Sequence, residues 1–314
     1  MEPKLDIITI GESLIELSAD TKMSAAECMH KYYGGDALAT AIAALRSGSK
    51  VGFITRVGND SFKEFLLDSW QAEGLDISQV KLTNEPNGLY FIARPSIHEK
   101  EVVYYRRKIA PSKLSLEDIS EDYIKNTKVI YASGVTQSLS MSADEAVTEA
   151  FKIAKANGIT TAYDPNYLSQ ITTPEEAKED FKHVIENTDI LFMSAKHDTV
   201  NILELDSVEN IIKKLWDMGV SIVVIKASER GGYYTGYNGN IVFTEFYTND
   251  VIDTTCSGDA FNGGFLHAYT HGLTPFEASK YASIVAGLQA KGIGAIKSIP
   301  YKEEINAIFK GGES

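Results

Sequence analysis

Cysteine is scarce in this chain of 314 residues: Cys28 and Cys256 are the two present. Two thiols exclude a disulfide framework or a cysteine-rich zinc cluster, and an isolated reduced thiol is the expectation for each. Positive charge is also short, with 30 Lys and Arg against 43 Asp and Glu, a net charge of −13. That balance argues against nucleic acid or an anionic membrane as partner, so any anionic ligand must be held by local groups. No apolar run approaches the ~18 residues that a membrane helix needs. The first residues, MEPKLDIITIGESL, carry acids and no basic segment ahead of a long apolar run. They do not read as a signal peptide, and the expected location is the cytoplasm. Internal repeats, low-complexity stretches and linkers are lacking as well. What is present is 44% hydrophobic residues, ample core for one large α/β domain or roughly two domains.

Along the chain, Leu5–Ile10 is a short apolar run that stops at Gly11, as a buried strand of a parallel sheet does. Ala37 to Arg46 is rich in helix formers with Gly48 as a stop, and Val51 to Thr55 reads as the next strand. Ser61 and Glu64 have capping-box spacing before a further helix. Val80 to Leu82 reads as a strand, and the β-rich runs Gly88 to Arg94 and Glu101 to Arg107 suggest a hairpin. The second half alternates. Strands are expected at Val129 to Ala132, Thr160 to Tyr163, Asp189 to Met193 and Ser221 to Ile225. Helices are expected after Ser142 (with Glu145 at capping-box spacing), after Thr173-Pro174 with Glu176 at N3, over about Val208 to Met218, and after Thr274-Pro275. Repeated β-then-α units imply a doubly wound, mainly parallel sheet flanked by helices, with ligands at the C-terminal ends of strands. Asp164, Asn166, Ser194 and Lys226 to Gly232 fall at such ends.

The stretch VIDTTCSGDAFNGGFLHAY, Val251 to Tyr269, organises the rest. It reads as an extended segment, a tight turn through Cys256, Ser257 and Gly258, and a helix opened by Asp259 and Ala260. Unpaired N–H groups and the positive end of the helix dipole then meet at one point, which suits a phosphate or a developing phosphoryl charge. Asp259 beside that point can accept the proton of an attacking hydroxyl. Capping preference alone explains an Asp here equally well, and both readings stand.

DTTCSGDAFNGGF resembles the C-terminal signature DTxGAGDxFxxGF of the ribokinase-like (PfkB) carbohydrate kinases, with Cys256-Ser257 in place of Gly-Ala. The N-terminal block YYGGDALATAI resembles the family's other signature, with Gly34-Gly35 ahead of the first helix, and Gly58, Asn59 and Asp60 match the run after the second strand. The resemblance implies a ribokinase-like fold over nearly the whole chain, 1–314, with a small β-sheet lid from segments at about 12–33 and 87–109, hiding one apolar face in a homodimer. It implies ATP with Mg2+ as phosphoryl donor. It implies catalysis by Asp259 as base, with the amides of Cys256, Ser257 and Gly258 as an anion hole. Gly34, Gly35, Asp36, Tyr90, Tyr104, Arg106 and Asp259 would hold the sugar. Asn166, Ser194, Lys226, Ser228, Glu229, Arg230, Gly231, Gly258, Ala286 and Gln289 would lie along the nucleotide. Gly231-Gly232 is equally explained as a plain turn.

VVYYRRKIAPSKL resembles the 2-keto-3-deoxygluconate kinase branch, where a Tyr-x-Arg run meets the acid sugar; Tyr104 and Arg106 stand in those places. A planar guanidinium suits a carboxylate, although basic residues on an edge strand also deter aggregation. Two departures from the family pattern qualify this. Leu168 replaces an Arg expected in DPNYLSQI, and Ser194-Ala195-Lys196-His197 replaces an Asn-x-x-Glu-like run that organises Mg2+, so no metal ligand is assigned, although Asp198 stands next door. The expected function is therefore phosphorylation of 2-keto-3-deoxygluconate or a related sugar acid. A neutral ketose such as fructose, a nucleoside, and a catalytically impaired sugar-binding or regulatory protein are the alternatives.

Overall fold

The computed structural model describes residues 4–96 and 99–311. Strand β1 (Leu5–Ile10) is an interior strand of a nine-stranded sheet, flanked by two parallel neighbours, and its alternate residues explain the architecture. Ile7 packs into one cluster with Phe53, Tyr131 and Phe192, whereas Ile8 and Ile10 pack into another with Ile54, Ile130 and Leu191. A strand apolar on both faces must be covered on both faces, and that is the pressure that winds helices onto each side.

The chain runs from β1 through β2 (Leu14–Ala19) and β3 (His30–Gly34) into α1 (Asp36–Ser47), then β4 (Val51–Gly58), α2 (Lys63–Glu73), β5 (Val80–Thr83), β6 (Gly88–Ser96) and β7 (Glu99–Tyr105). After the short helix α3 (Glu121–Ile124) come β8 (Thr127–Ser133), α4 (Gly134–Gln137), α5 (Met141–Ala156), β9 (Thr160–Asp164), α6 (Pro174–Ile185), β10 (Ile190–Ser194), α7 (Val208–Asp217) and β11 (Ile222–Ala227). β12 (Gly232–Tyr237) and β13 (Asn240–Glu245) follow, then α8 (Ser257–Thr270), α9 (Pro275–Ala290) and α10 (Lys302–Phe309). The large sheet has the order β13-β12-β11-β10-β9-β8-β1-β4-β5. It is parallel except for β12 and β13, which pair antiparallel at one edge. Helices α1, α2, α8, α9 and α10 contribute to the cluster on one face, and α3, α5, α6 and α7 to that on the other. This is the ribokinase-like fold expected from the sequence.

A separate four-stranded sheet has the order β3-β2-β6-β7. β2 pairs antiparallel with β3 and parallel with β6, and β6 pairs antiparallel with β7. Gly35, the residue that ends this sheet and opens α1, has φ 124°; a Cβ there would meet the Glu12 carbonyl oxygen at 2.5 Å. Only glycine lets α1 start so close to the β1–β2 connection. At Gly263 the reason is packing, since a Cβ would lie 2.3 Å from the Thr40 carbonyl oxygen where α8 crosses α1.

Three local expectations are corrected. The N-cap of α5 is Ser140, which accepts from the Ala143 amide, so Ser142 and Glu145 are inside the helix. The N-cap position of α2 is Phe62, whose amide donates to Asp60 Oδ1 at 2.9 Å, so Ser61 and Glu64 form no capping box. Helix α8 opens at Ser257, two residues before the expected Asp259, because the turn ahead of it comes earlier. That turn closes with the Ser257 amide on the Thr254 carbonyl at 3.1 Å, and Val251 to Cys256 joins no sheet.

Candidate active site

The start of α8 is built from a strained residue. Cys256 is the N-cap with φ 62°, in the left-handed region that favours glycine. The turn beneath it is held from two sides. Asp253 Oδ1 accepts from the Thr255 amide at 3.0 Å and its hydroxyl at 2.6 Å, and Gln289 Nε2 donates to the Thr255 carbonyl at 2.8 Å. The first helical bond runs from the Ala260 amide to the Cys256 carbonyl at 2.8 Å. The amides of Gly258 and Asp259 therefore sit in the helix start that general geometry leaves without intrahelical acceptors.

Asp259 is buried, and burial together with the Asp36 charge pushes its carboxyl well above the usual range. The Cys256 thiol, pushed up by burial and by Asp259, stays protonated and donates to that carboxylate. Asn166, at φ 43°, joins two of the expected substrate groups: its Nδ2 lies 3.3 Å from Asp36 Oδ2 and 3.4 Å from Asp259 Oδ1. Gly35, Asp36, Asn166 and Asp259 thus come together from α1, the end of β9 and α8. Tyr90 stacks on Tyr104 with ring centroids 5.7 Å apart, lies over Gly34, and gives its hydroxyl to Glu16.

Lys226 borders this cluster beside the start of α8. It is ion-paired with Asp164, and a Cβ on Gly258 would lie 3.5 Å from its Nζ. Burial pulls Lys226 down, but Asp164 outweighs it and holds the amine above its ordinary value. Asn262 Nδ2 also donates to Asp164, at 2.6 Å. Asp198 accepts from the Tyr167 amide at 2.8 Å and from the Ser194 amide, while burial and the Asp164 charge push it up to about 7.

Two cavities flank the cluster. One of about 690 Å³ is lined by Asn87, Tyr104, Arg106, Arg107, Lys108 and Gln170 among others, and its lining does not include Asp259. The other, about 290 Å³, is lined by Ser228, Tyr233, Tyr247, Thr254, Ser257 and Ala286 among others. Some expected nucleotide residues stand apart from the second cavity's wall. Glu229 pairs with Lys196 in solvent, Arg230 contacts the Tyr234 hydroxyl, and Gly231 is a turn residue at φ 71°. Gln289 is buried beneath the turn rather than lining the cavity. Ser194 Oγ accepts from the His197 amide at 3.2 Å and is spent on its own turn. The sequence alone left Asn262, which shares Asp164 with Lys226, unremarked; an Asn on a helix one turn past Asp259 was the available signal.

Among the described residues, Asp144, Asp180 and His183 are a group close enough to hold a metal ion, and they lie on α5 and α6, outside this cluster. Around Lys226, Asp164 is engaged by Lys226 and Asn262 and Asp198 by two amides. This donor set does not fit a protein-held Mg2+ of its own.

A doubly wound sheet, a small sheet beside a helix start, and a buried carboxylate at that helix start make an arrangement suited to phosphoryl transfer onto a hydroxyl. The chain belongs to the pfkB family of carbohydrate kinases, whose family model matches residues 4–302. It is a sugar kinase. The 5-dehydro-2-deoxygluconokinase of Clostridium perfringens is 30% identical over 98% of this chain and 93% of its own. The 2-dehydro-3-deoxygluconokinase of Thermoproteus tenax is 28% identical over 98% of this chain and 95% of its own. Among solved structures, an uncharacterized sugar kinase from Pyrococcus horikoshii in complex with ATP matches with a TM-score of 0.78 and 25% identity, covering 96% of this chain and 97% of that one.

Proposed function

We propose that this protein transfers the γ-phosphoryl group of ATP, as its Mg2+ complex, to a hydroxyl of 2-keto-3-deoxygluconate or a closely related sugar acid. The observation that carries the reaction is the meeting of Asp36, Asn166 and Asp259 at the start of α8. Asp259 takes the proton of the sugar hydroxyl as that oxygen attacks phosphorus. A carboxyl raised by burial is a stronger base than a free one, which suits an alcohol at neutral pH. The amides at the helix start and the Lys226 ammonium face the phosphoryl group, whose charge they oppose. Mg2+ arrives with the nucleotide as part of the substrate.

Ser228, Ser257 and Ala286 line the nucleobase side, while Gly34, Gly35, Asp36, Tyr90, Tyr104 and Arg106 meet the sugar. The small sheet serves as a lid that excludes water. Its apolar outer face, with Val103 41% and Tyr105 63% exposed, is proposed to pair with a second copy. Light scattering then reports a dimer for the wild type and a monomer for Tyr105→Glu; a wild-type monomer contradicts the pairing. The proposed location is the cytoplasm; no described helix is long and apolar enough to cross a membrane.

The acid-sugar assignment is supported by Arg106 on the cavity wall and by two relatives whose names both specify a deoxygluconate kinase. One observation favours a neutral ketose instead: Arg106 is ion-paired with Glu12. ADP release with Mg-ATP across 2-keto-3-deoxygluconate, 5-keto-2-deoxygluconate, fructose, ribose and a nucleoside decides between them. The sugar acids are expected to give the highest kcat/KM; fructose above both would move the assignment to a neutral sugar.

A further inference from the structure

Arg106 follows β7 and is buried, 8% exposed, against Glu12, 1% exposed. The ion pair joins Nη2 of Arg106 to Oε1 of Glu12, and three nearby polar atoms have no protein partner: Oε2 of Glu12, Nε of Arg106 and Oδ1 of Asp36. Buried polar atoms are seldom left unpaired, and one donor beside two acceptors matches a ligand carrying both an anionic oxygen and hydroxyls. The groups facing Glu12 are Arg106, Asp36 at the start of α1, and Tyr104 on β7. Among these Arg106 is the one cation. A substrate carboxylate landing on it sets two carboxylates on one guanidinium in a buried pocket, with Asp36 behind them. Like charges so placed do not both stay ionised.

We propose that Glu12 selects for a sugar acid by proton exchange: the substrate carboxylate replaces Glu12 on Arg106, and Glu12 takes one proton from solvent. Protonated, Glu12 becomes an O–H donor beside the ligand. This rests on the sugar-acid reading above. It also explains how a pocket with Leu168 in place of a second guanidinium can accept an acid, since one bound proton removes the charge that a second arginine would have offset. Burial already pushes Glu12 up to about 7, so the proton is available at neutral pH. A neutral sugar leaves the Glu12–Arg106 pair intact and takes up no proton.

Titration calorimetry of the full chain with 2-keto-3-deoxygluconate and with fructose, in buffers of different ionisation enthalpy from pH 6 to 8.5, counts the protons directly. The expected result is uptake approaching one proton for the acid near pH 8, with its Kd weakening roughly tenfold between pH 7 and 8.5. Fructose is expected to bind without either effect. In Glu12→Gln the acid binds with a flat Kd and no uptake. The proton count on the wild type needs no variant, so a misfolded Glu12→Gln leaves the test standing. Acid binding without proton uptake overturns the role of Glu12 while keeping the substrate. No acid binding at any pH, with fructose phosphorylated, overturns the substrate reading and this role with it.

Discussion

Cys256 holds a position where a side chain is costly. At φ 62° its Cβ crowds the carbonyl oxygen that follows, a conformation that disfavours L-residues by roughly 1–2 kcal/mol. Glycine removes that crowding but adds back about 0.5–1 kcal/mol of unfolded-state freedom. Cys256→Gly is therefore expected within about 1 kcal/mol of wild type in urea unfolding, whereas Cys256→Val, β-branched in the same conformation, is expected to lose about 2 kcal/mol or more. A valine variant as stable as wild type would show that the turn does not hold this φ in solution. At this scale the residues that meet at the start of α8 were legible in the sequence. Asp259, Asp36 and Asn166 could be named because each follows a recognisable strand or helix start. Arg94 could not, since what makes it matter is a partner far along the chain, Asp253, and Glu12, readable as a candidate substrate contact after the first strand, gave no sign of its partner Arg106.

Arg94 joins two elements of the fold. It stands on β6 of the small sheet, with Nη2 2.6 Å from Asp253 Oδ2 and Nη1 3.9 Å from Glu16 Oε1. Asp253 in turn holds Thr255 and the Gly294 amide. The small sheet is thus tied to the turn that opens α8, the two pieces that the proposed transfer brings together. Arg94→Ala leaves two buried carboxylates facing each other, and breaking a buried pair in this way costs about 3–5 kcal/mol. The expected outcome is a loss near the lower end in denaturant unfolding, with KM raised for sugar and nucleotide together. A loss under ~1 kcal/mol would mark the pair as solvated and the tie as unimportant. Element positions were largely legible because the strands are continuous apolar runs and the caps Thr173/Glu176 and Thr274/Glu277 are complete boxes. Ser140 was not distinguishable from Ser142 by spacing, because what selects it is also a tertiary bond, its hydroxyl to the Ser112 carbonyl at 2.8 Å. The β12–β13 hairpin had a readable signal in Asn238-Gly239, both at positive φ as a two-residue hairpin turn requires.

For the whole molecule, several carboxyls are raised into the same pH range. Burial pushes Glu12 and Asp198 up to about 7 and Asp180 up to about 6. The folded protein holds these protons more tightly than the unfolded chain. Their contribution is therefore full below the unfolded values near 4 and is lost as pH rises through about 6 to 7. His267, pulled down to about 3 by burial, acts oppositely, since stability is gained as pH rises towards its unfolded value near 6.5. More raised carboxyls than lowered histidines leaves a net fall. The ligand-free protein is expected to melt progressively lower as pH rises from 5.5 to 7, losing on the order of 1.4 kcal/mol or more per pH unit. The chain's net charge of −13 acts in the same direction. Melting temperatures that rise steadily from pH 5.5 to 8 would contradict the burial of these groups.

The central claim is that Asp259 accepts the hydroxyl proton at the start of α8. Its most direct measurement is single-turnover transfer from γ-labelled ATP to the best sugar acid by wild type and Asp259→Asn, with nucleotide binding and unfolding measured alongside. The variant is expected to fold and bind ATP nearly as wild type does, and to lose transfer by roughly 10²- to 10⁴-fold. Transfer within a few-fold of wild type would remove Asp259 from the chemistry and leave it as a helix-start residue.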